Sequence, residues 1–194
     1  MIKIRRIAFI AVLVSIASIL GYLENLIPIT LVPGVKLGLA NIVILFSIYH
    51  FKWYEALIIS LLRIVLVSLV LGSILSYTFF MSLSGGIISF VFMLILKKLN
   101  IFSIIFISII GALTHGIGQI IIAMIVLSSK EVIYYLPFIM LLSIPTGLIV
   151  GWLVSRINKN TYIVNLMKEW IHTICMDFLI SIIHLVLKNT KIMI

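Results

Sequence analysis

Long apolar runs separated by short polar punctuation organise this chain. Residues 7–23, 35–49, 53–71, 74–96, 101–127 and 132–154 are each apolar almost throughout. A helix needs about 20 apolar residues to cross the hydrocarbon layer of a bilayer. The pattern therefore predicts six membrane-spanning helices, the second of them short. Strands fit poorly, because a membrane barrel alternates apolar and polar positions, whereas Ile104–Ile110 and Ile120–Leu127 are continuous. Pro137 and Pro145 fall inside the sixth run, which a membrane helix tolerates where neighbours satisfy the freed carbonyls. The first run follows the basic start Lys3, Arg5 and Arg6. A cleaved signal peptide is the competing reading there, but Glu24, Asn25 and Pro28 follow in place of a small-residue cleavage pattern.

Composition sharpens this picture. Apolar residues make up 64% of the chain and charged ones 10%, with a mean hydropathy of +1.40. A soluble domain carries roughly a quarter charged residues, and disordered chains are poor in Ile, Leu and Phe, so both classes are excluded. The net charge of +9 would point to nucleic acid in a soluble protein, but here it sorts by position. With six spans and an inner amino terminus, Lys3, Arg5, Arg6, Lys52, Lys97, Lys98, Arg156 and Lys159 fall on the inner side, against Lys36 and Lys130 outside. That is the bias that basic residues show toward the cytoplasmic ends of membrane helices, and no nucleic-acid partner is expected. Residues 1–157 read as one membrane domain in a cell membrane, with both ends cytoplasmic, and residues 158–194 as a tail. Within the tail, Trp170–Leu187 is apolar but is interrupted by His172, Asp177 and His184 and preceded by Glu169. An Asp buried in lipid is costly, so a C-terminal amphipathic helix lying on the membrane is expected rather than another span.

Polar residues inside a bilayer carry the most information, because each one costs free energy to place there. Arg63 lies mid-way along the third run, too deep to reach the surface easily, and requires protein, a partner carboxylate or an anionic ligand around it. Glu24 is the candidate carboxylate at the outer end; Glu55 lies at the wrong end of the helix. His115 and Gln119 stand four residues apart and share a helix face. Gly111, Gly116 and Gly118 thin the helix around them, which suits a cavity as well as an interhelical hydrogen-bonded pair. Between the first two runs, Pro28, Pro33 and Gly34 make an ordered crossing. Lys36 then opens a helix bearing Gly38 and Asn41, where a cation adds to the positive end of the helix dipole and invites an anion. A lysine reaching for water explains Lys36 nearly as well. Glu24, Lys36 and Asn41 are thus expected at the entrance of a ligand site, and Arg63, His115 and Gln119 in its interior. On the first helix Ala11 and Ser15, and offset from them Ala17 and Gly21, form small-residue faces for close helix packing, either within the bundle or against a separate membrane subunit. Ser82, Ser84, Gly85, Gly86 and Ser89 thin the fourth helix similarly.

Enzymatic chemistry has no visible support. Asp177 is the only aspartate, so the paired acidic motifs that hold Mg²⁺ against a diphosphate cannot be assembled. The phosphate-cradling loop of nucleotide hydrolases is missing, as are HExxH and CxxC metal patterns. Cys175, the lone cysteine, forms no disulfide within the chain and has no base beside it to make it a nucleophile. No catalytic residue, metal site or cofactor is expected.

The run Glu24…Ile27-Pro28…Pro33-Gly34-Val35-Lys36-Leu37-Gly38-Leu39-Ala40-Asn41, followed by Arg63, Gly72, Ser84-Gly85-Gly86…Ser89 and Gly111-Ala112…His115…Gly118-Gln119, resembles the bacterial Gx transporter family, also called heptaprenyl diphosphate synthase component I. Gly116 departs from the Asn expected after the His. That family is similar to the substrate-binding S components of energy-coupling factor (ECF) transporters. The resemblance covers roughly residues 1–157 and implies an all-α, six-helix, S-component-like bundle in a bacterial cell membrane. It implies capture of a small anionic or amphiphilic molecule from outside, and docking through Ala11 and Ser15 on an ECF transmembrane coupling protein with its ATPases. The alternative it carries is a non-catalytic membrane subunit of heptaprenyl or polyprenyl diphosphate synthesis, partnered by a prenyl synthase subunit.

Overall fold

The computed structural model describes residues 2–26 and 38–160, and among them there are six α-helices, one 3-10 helix and no strand. The helices are α1 (Ile2–Leu26), α2 (Asn41–His50), α3 (Trp53–Val70), α4 (Tyr77–Leu99), α5 (Ile104–Leu127) and α6 (Leu136–Lys159), with the 3-10 turn Lys130–Tyr135 leading into α6. Five of the helical segments are long and apolar enough to cross a membrane. The sixth, α2, has 10 residues and at 1.5 Å per residue is about 15 Å long, half the thickness of the hydrocarbon layer. The expected second span over residues 35–49 is corrected accordingly: the helix begins at Asn41, and Gly38 precedes it. The fourth helix begins at Tyr77 rather than residue 74, and Pro137 sits in the first turn of α6, where a missing N–H costs nothing. The expected tail helix lies outside the described residues.

The short helix is apolar on every side because it is surrounded. Val43, Ile44, Leu45, Phe46 and Ile48 are all buried, and α2 touches each of the other five α-helices. A helix hydrophobic all round belongs in an interior. Around it, α1, α3, α4, α5 and α6 form a row, each packed against the next.

Glycine and serine set the spacing of that row. On α4 and α5, Ser84 Oγ donates to the Gly118 carbonyl at 3.0 Å and Ser89 Oγ to the Gly111 carbonyl at 2.8 Å. A Cβ added at Gly118 would stand 2.8 Å from the Gly85 Cα. On the next seam, a Cβ at Gly147 would meet the Ile109 Cα at 2.8 Å, and one at Gly151 the Ile105 Cα at 2.7 Å. Small residues let membrane helices approach to backbone contact, which supplies the dispersion energy that lipid cannot. The α1–α3 seam is looser, with Gly21 facing the Val67 side chain and Ala17 fully buried. Ala11 and Ser15, by contrast, lie exposed on the outer face of α1.

Charge sorts to the two ends of the bundle. Arg6 on α1 grips Glu55 on α3 through two nitrogens, Nε to Oε1 at 2.6 Å and a terminal nitrogen to Oε2 at 2.9 Å. The Lys97 ammonium donates to the carbonyl of Ile48, tying the end of α4 to the end of α2. Gly151 lies against Ile105, so the end of α6 meets the start of α5. One end of the bundle therefore carries Arg6, Lys52, Lys97, Lys98, Arg156 and Lys159, and the other Lys130 and Glu131. Between the ends, a belt of exposed apolar side chains, including Ile16, Ile19, Leu62, Leu66, Leu141 and Ile149, presents the surface expected of a protein solvated by lipid.

Adding one methyl group at either glycine seam tests this packing. Gly118→Ala and Gly151→Ala should each lower stability by about 1–3 kcal/mol, the usual cost of overpacking, read as a lower Tm of the detergent-purified protein.

Candidate functional site

A small polar cavity forms where α1 ends, α3 reaches its middle and α4 and α5 cross. It is lined by Gly21, Glu24, Arg63, Ile64, Val67, Ser82 and His115, and its volume is about 20 Å³. That is enough for about one water molecule. Glu24, Arg63 and His115 are each more than nine-tenths buried, a costly arrangement that must be compensated locally.

The compensation comes from the entry into α2. Asn41, the first residue of that helix, accepts a hydrogen bond from a terminal nitrogen of Arg63 through Oδ1, at 3.3 Å. The Glu24 carboxylate accepts the backbone N–H of Gly38, and that of Leu39 at 3.3 Å, both through Oε1. It is also close enough to act electrostatically on the Arg63 guanidinium. Gly38 adopts φ +85°, and a Cβ there would meet Asn41 Nδ2 at 3.0 Å. Only glycine takes up that backbone shape without strain. Arg63 Nε and Asn41 Nδ2 have no hydrogen-bond partner among the described residues.

His115 and Gln119 pack against α4 at its thinnest point. A Cβ at Gly85 would come within 3.1 Å of His115 Cε1 and 3.0 Å of Gln119 Cγ. The glycine thus makes room for both side chains. His115 reaches the cavity, while Gln119, fully buried, lies against the α4 backbone and is not part of the cavity wall.

The expected division into an entrance and an interior is revised by this geometry. Glu24 and Arg63 line one cavity, and Asn41 bonds directly to Arg63, because α2 starts deep in the bundle instead of at its surface. Lys36 lies outside the described residues. Sequence reasoning missed the part played by Gly38, whose signal was a glycine two residues after a lysine and three before a buried Asn. It also missed Ser82 as a wall of the cavity, having read it only as a thin packing patch. Among the described residues no group of three or more His, Cys, Asp or Glu side chains comes together.

The sequence profile of the family described as heptaprenyl diphosphate synthase component I matches residues 13–157. The chain belongs to that family. The match takes in Glu24, Gly38, Asn41, Arg63, Ser82, His115 and Gln119, and all of α2 to α5. No curated protein and no solved structure matches the chain.

Gly38→Ala tests the Glu24 latch. Gly72 also has positive φ, +63°, but nothing lies within 4 Å of a Cβ placed there, so Gly72→Ala reports the backbone strain alone, about 1–2 kcal/mol. Gly38→Ala should lower Tm by more than Gly72→Ala, because it crowds Asn41 as well.

Proposed function

We propose that this protein is a membrane-embedded, non-catalytic subunit of heptaprenyl or polyprenyl diphosphate synthesis. The observation that carries this reading is the family match over residues 13–157. The chain's chemistry supports the division of labour. Enzymes that act on diphosphates bind Mg²⁺ through carboxylates together with the substrate's own phosphates. This chain has one aspartate, Asp177, and it lies beyond the matched region. The metal-binding carboxylates would then come from a partner synthase, with this subunit holding it at the membrane in which a long isoprenoid product dissolves. The bundle end bearing Arg6, Lys52, Lys97, Lys98, Arg156 and Lys159 would face the cytoplasm of a bacterial cell and receive that partner. Affinity purification of the tagged full chain from native membranes tests the assignment. A prenyl diphosphate synthase subunit should co-purify; recovery of ATPases with a transmembrane coupling protein in its place would overturn the reading.

A second reading is favoured by the site itself. Buried Glu24, Arg63 and His115 meet around one cavity with Asn41 beside them, an arrangement suited to holding a small anionic or amphiphilic guest. The exposed Ala11 and Ser15 on α1 would suit docking against an energising membrane subunit. On this reading the chain is the substrate-binding component of an ECF-type transporter. Since the cavity admits about one water as it stands, a guest must displace a resident group or part the walls. Arg63→Ala and His115→Ala should each reduce uptake at least about tenfold, a loss of about 1.4 kcal/mol of binding, with the purified proteins still monodisperse. Unchanged uptake in both would remove the transport reading.

A further inference from the structure

The geometry points to an oxyanion-binding site in which the Glu24 carboxylate is the chain's own occupant, standing in for the carboxylate or phosphate of a small ligand. This deepens the ligand-binding reading and rests on it. Two backbone N–H groups, of Gly38 and Leu39, converge on one oxygen of Glu24. Arg63, which is 6% exposed, lines the same cavity, and its Nε has no hydrogen-bond partner among the described residues. Its bond to Asn41 uses Oδ1, and Asn41 Nδ2 likewise has no partner among the described residues. Among the described residues, the charged and titratable groups lining the cavity are Arg63, His115 and Glu24.

Such a site has more donors than one carboxylate satisfies, and Glu24 is not placed there by its own helix. It stands in the last turn of α1, two residues before Leu26, at the negative end of the helix dipole, where a carboxylate is locally disfavoured. Among the described residues, the Gly38 and Leu39 N–H groups opposite hold it. A cavity of about 20 Å³ leaves no room to add an anion beside Glu24. A ligand oxyanion would take its place on the Gly38 and Leu39 N–H groups and engage the idle Arg63 Nε, a charge-assisted contact in a dry surrounding.

Chemical rescue tests this with the full chain purified in detergent. Tm is measured for the wild type, Glu24→Ala and Glu24→Gln in acetate and in phosphate, each against chloride at matched ionic strength. Glu24→Ala should unfold at a lower temperature than the wild type. Acetate or phosphate should then raise its Tm by roughly 2–4 °C over chloride, with the wild type unmoved. A response to acetate alone assigns a carboxylate ligand, and a response to phosphate assigns a phosphate-bearing one. The rescue should vanish in Glu24→Ala/Arg63→Met. No rescue beyond chloride, an equal shift in the wild type, or rescue that survives loss of Arg63 overturns the proposal. If Glu24→Ala does not survive extraction, Glu24→Ser, which likewise empties the site, carries the same comparison with the same outcomes for and against, while Glu24→Gln, which keeps the site filled, should show no anion response. Rescue that fails while uptake still depends on Arg63 would remove the stand-in role of Glu24 and leave ligand binding; rescue with no uptake would do the reverse.

Discussion

A guanidinium buried in a lipid-solvated bundle must be met by polar groups from the protein, and Arg63 is met chiefly at the start of α2. Its bond to Asn41 and the Glu24 carboxylate that lines the same cavity bring α1, α2 and α3 together at one point. Glu24 in turn holds the backbone just ahead of α2. Lipid offers no competing hydrogen bonds, so each of these groups is kept in place by the cost of leaving it unsatisfied. The position of α2 follows. It begins at this polar knot inside the bundle and runs, apolar on all sides, toward the basic end, to finish beside Lys97.

The other helices close around it by a different device. In lipid there is little hydrophobic gain from helix association, so α4, α5 and α6 depend on close backbone approach at Gly85, Gly111, Gly118, Gly147 and Gly151. These seams are strong where the α1–α3 contact is looser. The polar cavity sits between the two regimes, walled by Gly21, Glu24, Arg63, Ile64 and Val67 on one side and by Ser82 and His115 on the other.

Membership of the heptaprenyl diphosphate synthase component I family and a buried cationic side chain are compatible in one membrane protein. The basic residues gather at one end of the bundle, and the polar cavity lies toward the other, beyond the middle of α3. The two surfaces are served by different residues, so binding at one need not consume the groups of the other.

The membrane class, the helical character and the sorting of basic residues to one end were legible in the chain, because apolar run length and charge placement answer to the bilayer, which acts on each segment separately. So was the need of Glu24, Asn41, Arg63, His115 and Gln119 for polar surroundings, since a polar residue in or beside an apolar run is conspicuous wherever it sits, and all five are buried. The length and depth of α2 were not legible: an apolar stretch reads alike whether lipid or protein surrounds it, and only the packing of five neighbours makes Asn41–His50 an interior plug. Ser143, Gly147 and Gly151 went unnoticed on the sixth run, although their four-residue spacing was a visible sign of the α5–α6 seam. Convergence itself, with Glu24 latched to Gly38 and Arg63 bonded to Asn41 while Gln119 turns aside, was decided in three dimensions, because pairing in a dry interior depends on which helices touch, and no single segment contains that information.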